Sequence, residues 1–169
     1  MRAQVIQRLK AYWRLEAANA AFVPGLAAWL VLQAGDRISW PLALAMIACA
    51  LLLLVGAAAW RMELRELQGD PRFGRAVLPW LSRLQAPTGA LALVSLAAAG
   101  IEVWRDGGWS ASAIATAALS ALALLEYVNY YVVQLQHFDH AADFARLLRG
   151  RGFREAHLAR AVRRWRRRA

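Results

Sequence analysis

The sequence predicts an all-α polytopic membrane protein, with four transmembrane helices in two hairpins and amphipathic helices on the cytoplasmic side. Three observations carry that prediction. Of 169 residues, 60% are apolar, above the roughly 45–50% usual in soluble chains. Charged residues are segregated so far that 38–60 and 107–125 contain none, as membrane spans require. All but two of the 21 lysines and arginines lie before the first span, in the connection between the second and third, or in the C-terminal tail; only Arg37 and Arg105 occupy the other two connections. Positive charge is retained on the cytoplasmic side, so both termini and the central loop are expected there.

Residues 2–16 carry Val5, Ile6, Leu9, Tyr12 and Trp13 at helical spacing, with Arg8, Lys10 and Arg14 between them. This is the pattern of an interfacial helix running into a span. The first span, 17–34, has Pro24 near its start, where neighbouring helices have to cover a lost backbone bond. No small-residue cleavage site follows the basic start, so this segment is expected to stay on the chain. After the turn at Gly35, Asp36 and Arg37 comes the second span, 38–60. Trp40 and Trp60 bracket it, and the 20 residues between them measure about 30 Å of helix, the thickness of the hydrocarbon layer. The helix should continue through Arg61, Glu63, Arg65 and Glu66 until Gly69, Asp70 and Pro71 stop it.

Phe73, Val77, Trp80, Leu81 and Leu84 then suggest a second interfacial segment, interrupted at Pro79. The third span, 84–101, has Pro87 near its start, and the fourth, 107–131, follows the turn at 105–108. Trp13 and Trp80 are expected at the inner interface and Trp104 and Trp109 at the outer one. Trp29, away from either end, is expected between helices. Ser95, Ser110, Ser112 and Ser120 sit among alanines and glycines, which suits close helix packing. The organisation is thus an interfacial helix 1–16, a four-helix membrane domain 17–138 with a cytoplasmic loop 61–83, and a tail 139–169.

The tail holds ten arginines, Arg146, Arg149, Arg151, Arg154, Arg160, Arg163, Arg164, Arg166, Arg167 and Arg168, against Asp139, Asp143 and Glu155. Such a surface requires an anionic neighbour. Leu158, Ala161, Val162 and Trp165 fall on one helical face and most of the arginines elsewhere. Anionic phospholipid is the preferred partner, at about 1 kcal/mol per basic residue near the surface. Nucleic acid is the alternative, since arginine forks grip phosphates and Trp165 would stack on a base. With one lysine in the whole chain, the choice of arginine carries little information by itself.

Chemistry is concentrated at the end of the fourth helix, where Glu126, Asn129, Tyr130, Gln134 and His137 recur at spacings of three and four and share one helical face. The tryptophan ruler from Trp109 puts Glu126 about one turn inside the apolar layer. Three readings follow. His137 and His140 would supply nitrogen ligands to a metal, but no second histidine-bearing helix completes a cage. Glu126 would load protons or ions, with Asn129, Tyr130 and Gln134 as relays and Glu102 as an exit. The preferred reading is interhelical glue, with Glu126 pairing with Arg14 or accepting from Asn19 or Tyr12. No nucleophile elbow, zinc-protease motif or phosphate loop is present. A lipid-modifying enzyme with Glu126 and His137 as acid and base is the remaining alternative, and no cofactor is expected.

Across Glu126 to Asp139, followed by Arg146-Leu147-Leu148, Gly152-Phe153-Arg154 and His157-Leu158-Ala159-Arg160, the chain resembles small, uncharacterised four-span integral membrane proteins of bacteria. The resemblance covers the last quarter. It implies a bacterial inner membrane and brings no activity with it. The sequence therefore points to an accessory role, as an anchor, assembly factor or subunit with a protein partner or as a homo-oligomer; a small transporter or ion-channel subunit is the alternative.

Overall fold

A computed structural model describes residues 2–105, 107–135 and 154–167. Among them the chain forms five helices and no strand: α1 (Arg2–Gln33), α2 (Trp40–Leu67), α3 (Arg72–Arg105), α4 (Ala111–Tyr131) and α5 (His157–Arg166). Each of α1 to α4 is long and apolar enough to cross a membrane.

The turns form where the sequence punctuates the helices. α1 closes at Gly35, whose φ of 73° is one a side chain would resist, while the Gly35 and Asp36 amides bond back to Leu32 and Val31. Ser39 opens α2 by accepting from the Leu42 amide at 3.2 Å, with Pro41 in the first turn where no amide is needed. Gly69, at φ 83°, ends the α2 segment in the same manner as Gly35. Ser110 caps α4 through the Ala113 amide.

Two expectations need correction. α3 is not interrupted at Pro79; it runs unbroken through both Pro79 and Pro87, as α1 runs through Pro24. A proline removes one amide and crowds one carbonyl, but its φ is helical, and packing on neighbouring helices holds the rest. Trp29 does not lie between helices: it is 56% exposed. α1 sits at the edge of the bundle, with 17% of its most apolar stretch buried against 56% for α2, so most of its circumference faces outward.

α2 is the central element and packs on α1, α3 and α4. Its Leu42, Ala45, Ala48, Cys49 and Leu52 are almost fully buried. α5 packs across the ends of α3 and α4, and its Leu158, Ala161 and Val162 join the same core. The end of the bundle where α1 begins and α5 docks is tied by the Arg2 guanidinium donating to the Leu67 carbonyl at 2.6 Å. At that end Arg61 lies over the rings of both Trp13 and Phe73, joining three helices through one cation.

Helix spacing there is set by two glycines. A Cβ on Gly56 would lie 2.3 Å from the Tyr130 hydroxyl, and one on Gly89 would lie 2.8 Å from the Tyr127 ring. Both tyrosines of α4 therefore lie directly over a bare stretch of backbone. Gly56→Ala is expected to lower the unfolding free energy by about 1–3 kcal/mol, the usual cost of overpacking, whereas Gly25→Ala, in open space, does not lower it. Thermal unfolding in detergent measures both, and a Gly56→Ala variant as stable as the wild type would contradict this close approach.

Candidate functional site

Of the polar residues predicted at the end of α4, Glu126, Asn129 and Tyr130 lie on the helix, Gln134 lies beyond it, and His137 is outside the described residues. α4 ends at Tyr131, so Gln134 is not on its face. The chain instead turns into an extended stretch in which the Gln134 amide donates to the Arg154 carbonyl at 2.9 Å and the Ala156 amide to the Val132 carbonyl. Val132 and Val133 favour extended backbone, and the Asn129 carboxamide accepts the Leu135 amide at 2.8 Å, fixing the exit. Asn129, Tyr130 and Gln134 nevertheless line one cavity of about 90 Å³, with Trp60, Glu63 and His157. His157 reaches it from α5 and pairs through Nδ1 with Glu63.

Tyr130 crosses α2 over Gly56 and donates to Glu16 of α1 at 2.7 Å, and the Trp60 indole also bonds Glu16. Tyr131 donates to the Leu81 carbonyl of α3 at 2.8 Å. Interhelical glue is therefore present, but its donors are Tyr130, Tyr131 and Trp60, and its acceptor on α1 is Glu16. Arg14, the expected partner of Glu126, lies over the Trp13 ring instead. Glu126 stands beside Tyr130 and near Glu16, and its Oε2 is buried without a hydrogen-bond partner among the described residues.

His137 and His140 lie outside the described residues, as do Arg146, Arg149, Arg151 and Arg168. Among the described residues no group of three or more histidine, cysteine or acidic side chains is arranged to hold a metal. On α5 the buried residues are Leu158, Ala161 and Val162, while Arg160, Arg163, Arg164, Arg166 and Arg167 are exposed, as is Arg154 just before the helix. Arg163 pairs with Glu155. Arg166 turns back onto α3, donating to Ser82 Oγ at 3.0 Å, to the Ser82 carbonyl at 3.2 Å and to Gln85 at 3.0 Å. Trp165 is half-buried, packed beside α2 and α3.

Sequence reasoning missed a second polar cluster, at the opposite end of the bundle. Asp36 accepts from the Ser112 amide at 3.0 Å, Ser112 Oγ bonds Ser39 Oγ and donates to Glu102, both at 2.8 Å, and Thr116 donates to the other Glu102 oxygen at 2.9 Å. Two carboxylates thus meet the positive end of the α4 dipole, and the α1–α2 turn is bonded to α3 and α4. Arg37 and Arg105 line the adjoining cavity of about 280 Å³. The available signal was that Asp36, Ser39, Glu102, Ser110 and Ser112 all fall beside the α1–α2 and α3–α4 turns.

Neither protein-family models, nor curated proteins, nor solved structures contain a significant match to this chain.

The Asp36 carboxyl is held below the usual aspartate range, first by the Ser112 amide and then by the Arg37 amide. Its folded value lies below its unfolded one, so the carboxylate stabilises the fold above the unfolded value and loses that contribution as pH falls through the folded one. The melting temperature should accordingly drop on acidification below about pH 4. Asp36→Ala should flatten that part of the profile, and an unchanged acid profile would show that this cap contributes nothing.

Proposed function

We propose that this chain is an accessory protein of a bacterial cytoplasmic membrane, an anchor, assembly factor or subunit, whose arginine-rich C-terminal helix presents a binding surface for anionic phospholipid. The observation that carries the reading is the way α5 is used. Its apolar residues are spent on the bundle, with Leu158, Ala161 and Val162 buried, while Arg160, Arg163, Arg164 and Arg167 remain exposed. A helix whose apolar side is already occupied does not insert by it, and what it offers is charge at a fixed position. If both termini are cytoplasmic, as the distribution of basic residues implies, that charge stands beside the anionic leaflet, worth about 1 kcal/mol per basic residue. The half-burial of Trp165 weighs against base stacking and so against nucleic acid. Two hairpins with interfacial helices at residues 2–16 and on the tail complete the topology proposed.

Two measurements test this. Purified in mild detergent, the protein should retain phosphatidylglycerol over phosphatidylcholine, and a variant with Arg160, Arg163, Arg164 and Arg167 all changed to Gln should lose most of that enrichment. Equal enrichment in both would overturn the lipid surface. The particle extracted from native membranes should contain a second protein in stoichiometric amount; a lone monomer would overturn the accessory role.

A second reading rests on Glu126, whose buried, unpartnered Oε2 stands near Glu16 at the inner end of the spans, where intramembrane acids serve ion paths. In that case liposomes containing the protein should pass protons down an imposed gradient. Glu126→Gln should abolish the flux with the melting temperature retained, and wild-type liposomes no leakier than empty ones would remove this reading.

A further inference from the structure

A groove of about 600 Å³ runs between the terminal turns of α2, the first turns of α3, and α5. Its lining divides by polarity. Met62 is buried and Leu78 and Trp165 are half-buried, whereas Glu66, Arg75 and Arg164 are exposed. The groove is thus apolar below and charged at its mouth. Gly74 helps shape it, since a Cβ there would lie 3.0 Å from Met62 Cγ and oblige that side chain to shift.

Trp80, 64% exposed, gives its level in a bilayer, since such a ring marks the headgroup boundary. Leu78 stands two residues beyond it, about 3 Å along α3, and Arg75 five residues beyond, about 8 Å; Met62 faces Gly74, at about the level of Arg75. An apolar floor that starts at the headgroup boundary, with charges at the depth of the phosphates, follows the layout of a phospholipid. The mouth carries two guanidinium groups and one carboxylate, a net single positive charge that complements one phosphodiester, and guanidinium forks match phosphate oxygens. Glu66 offers only acceptor atoms, so headgroup hydroxyls can donate to it, and the net positive charge of the mouth favours such neutral donors over a headgroup that carries its own cation.

We infer that this groove binds one molecule of an anionic glycerophospholipid with a hydroxyl-bearing headgroup, of which phosphatidylglycerol is the simplest. Its phosphate lies between Arg75 and Arg164, its headgroup hydroxyls donate to Glu66, and its acyl chains leave past Met62, Leu78 and Trp165. The inference rests on the reading that this end of the bundle faces the phospholipid surface, and it adds one discrete site to a diffuse basic one.

Native mass spectrometry of the full chain in mild detergent, with phosphatidylglycerol, phosphatidic acid and phosphatidylcholine added in turn, tests it. One phosphatidylglycerol per chain should resist dilution. Arg75→Gln with Arg164→Gln removes two charge-assisted contacts and should weaken it by at least about tenfold, which the loss of either one alone is worth. Arg8→Gln with Lys10→Gln removes the same charge at the same end, outside the groove, and should change it less than twofold. Glu66→Ala should shift the preference from phosphatidylglycerol toward phosphatidic acid, which lacks the glycerol hydroxyls and gains from loss of a carboxylate.

Equal effects of the two double variants would overturn the site while leaving the diffuse surface intact. No preference over phosphatidylcholine in the wild type would overturn both. A phosphatidylglycerol to phosphatidic acid ratio unmoved by Glu66→Ala would overturn the headgroup assignment, and a co-purified peptide displaced only by Arg75 and Arg164 changes would overturn the lipid as occupant. Circular dichroism melting of each variant separates lost binding from lost fold.

Discussion

The bond from Tyr130 to Glu16 exists because Gly56 has no side chain. α2 lies between α4 and α1, and a hydroxyl on α4 reaches an acceptor on α1 only by passing over bare backbone. In an apolar medium a buried carboxylate without donors is expensive, so α1, which contributes little else to the core, is held where its one acidic residue meets a phenol. Tyr127 over Gly89 and Tyr131 on the Leu81 carbonyl do the equivalent work toward α3. Three tyrosines within five residues thus fix the register of α4 against α1, α2 and α3.

The opposite end achieves the same with shorter side chains. Ser39, Ser112 and Thr116 reach only a few ångströms, so their bonds to Asp36 and Glu102 demand close backbones, which the alanine-rich stretches of α3 and α4 provide. The result is a bundle stapled by polar groups at both ends with an apolar centre between. Ser120, with its Oγ buried and unpartnered among the described residues, sits in that centre. A relay from Glu126 to Glu102 would have to cross it, and Leu119 and Ala123 beside Ser120 offer no proton carriers. The polar clusters read more naturally as two separate end structures than as one path.

Much of this was legible. Uncharged lengths and turn residues located all four spans and their connections, because both signals are local: hydropathy needs only a window, and Gly35 and Gly69 act within four residues of themselves. What failed was period and partner. Gln134 continues the spacing of Glu126 and Tyr130 numerically, but Val132 and Val133 leave the helix to pair with the segment before α5, and no local pattern announces a partner twenty residues away. Pro79 looked like a break because propensity counts the lost bond and not the packing that holds the helix through it. Glu16 was overlooked as a site although it is the only acid in the first 35 residues, at the edge of a span, which was signal enough.

The docking of α5 changes what its arginines do. A free amphipathic basic helix would divide its binding between apolar insertion and charge, and would lie wherever the membrane took it. Here the apolar side is committed to the bundle, and Arg166 is held by Ser82 and Gln85 while Arg163 is held by Glu155. These fixed arginines set the rotation of the helix, and that rotation aims Arg164 and Trp165 toward the first turns of α3 while Arg160 remains exposed elsewhere. A surface that sequence alone describes as ten interchangeable charges thereby acquires distinct positions: some arginines serve the fold, others are exposed, and Arg164 lines the same groove as Arg75. Charge that is merely abundant attracts any anion, whereas charge held in register with an apolar surface can select one.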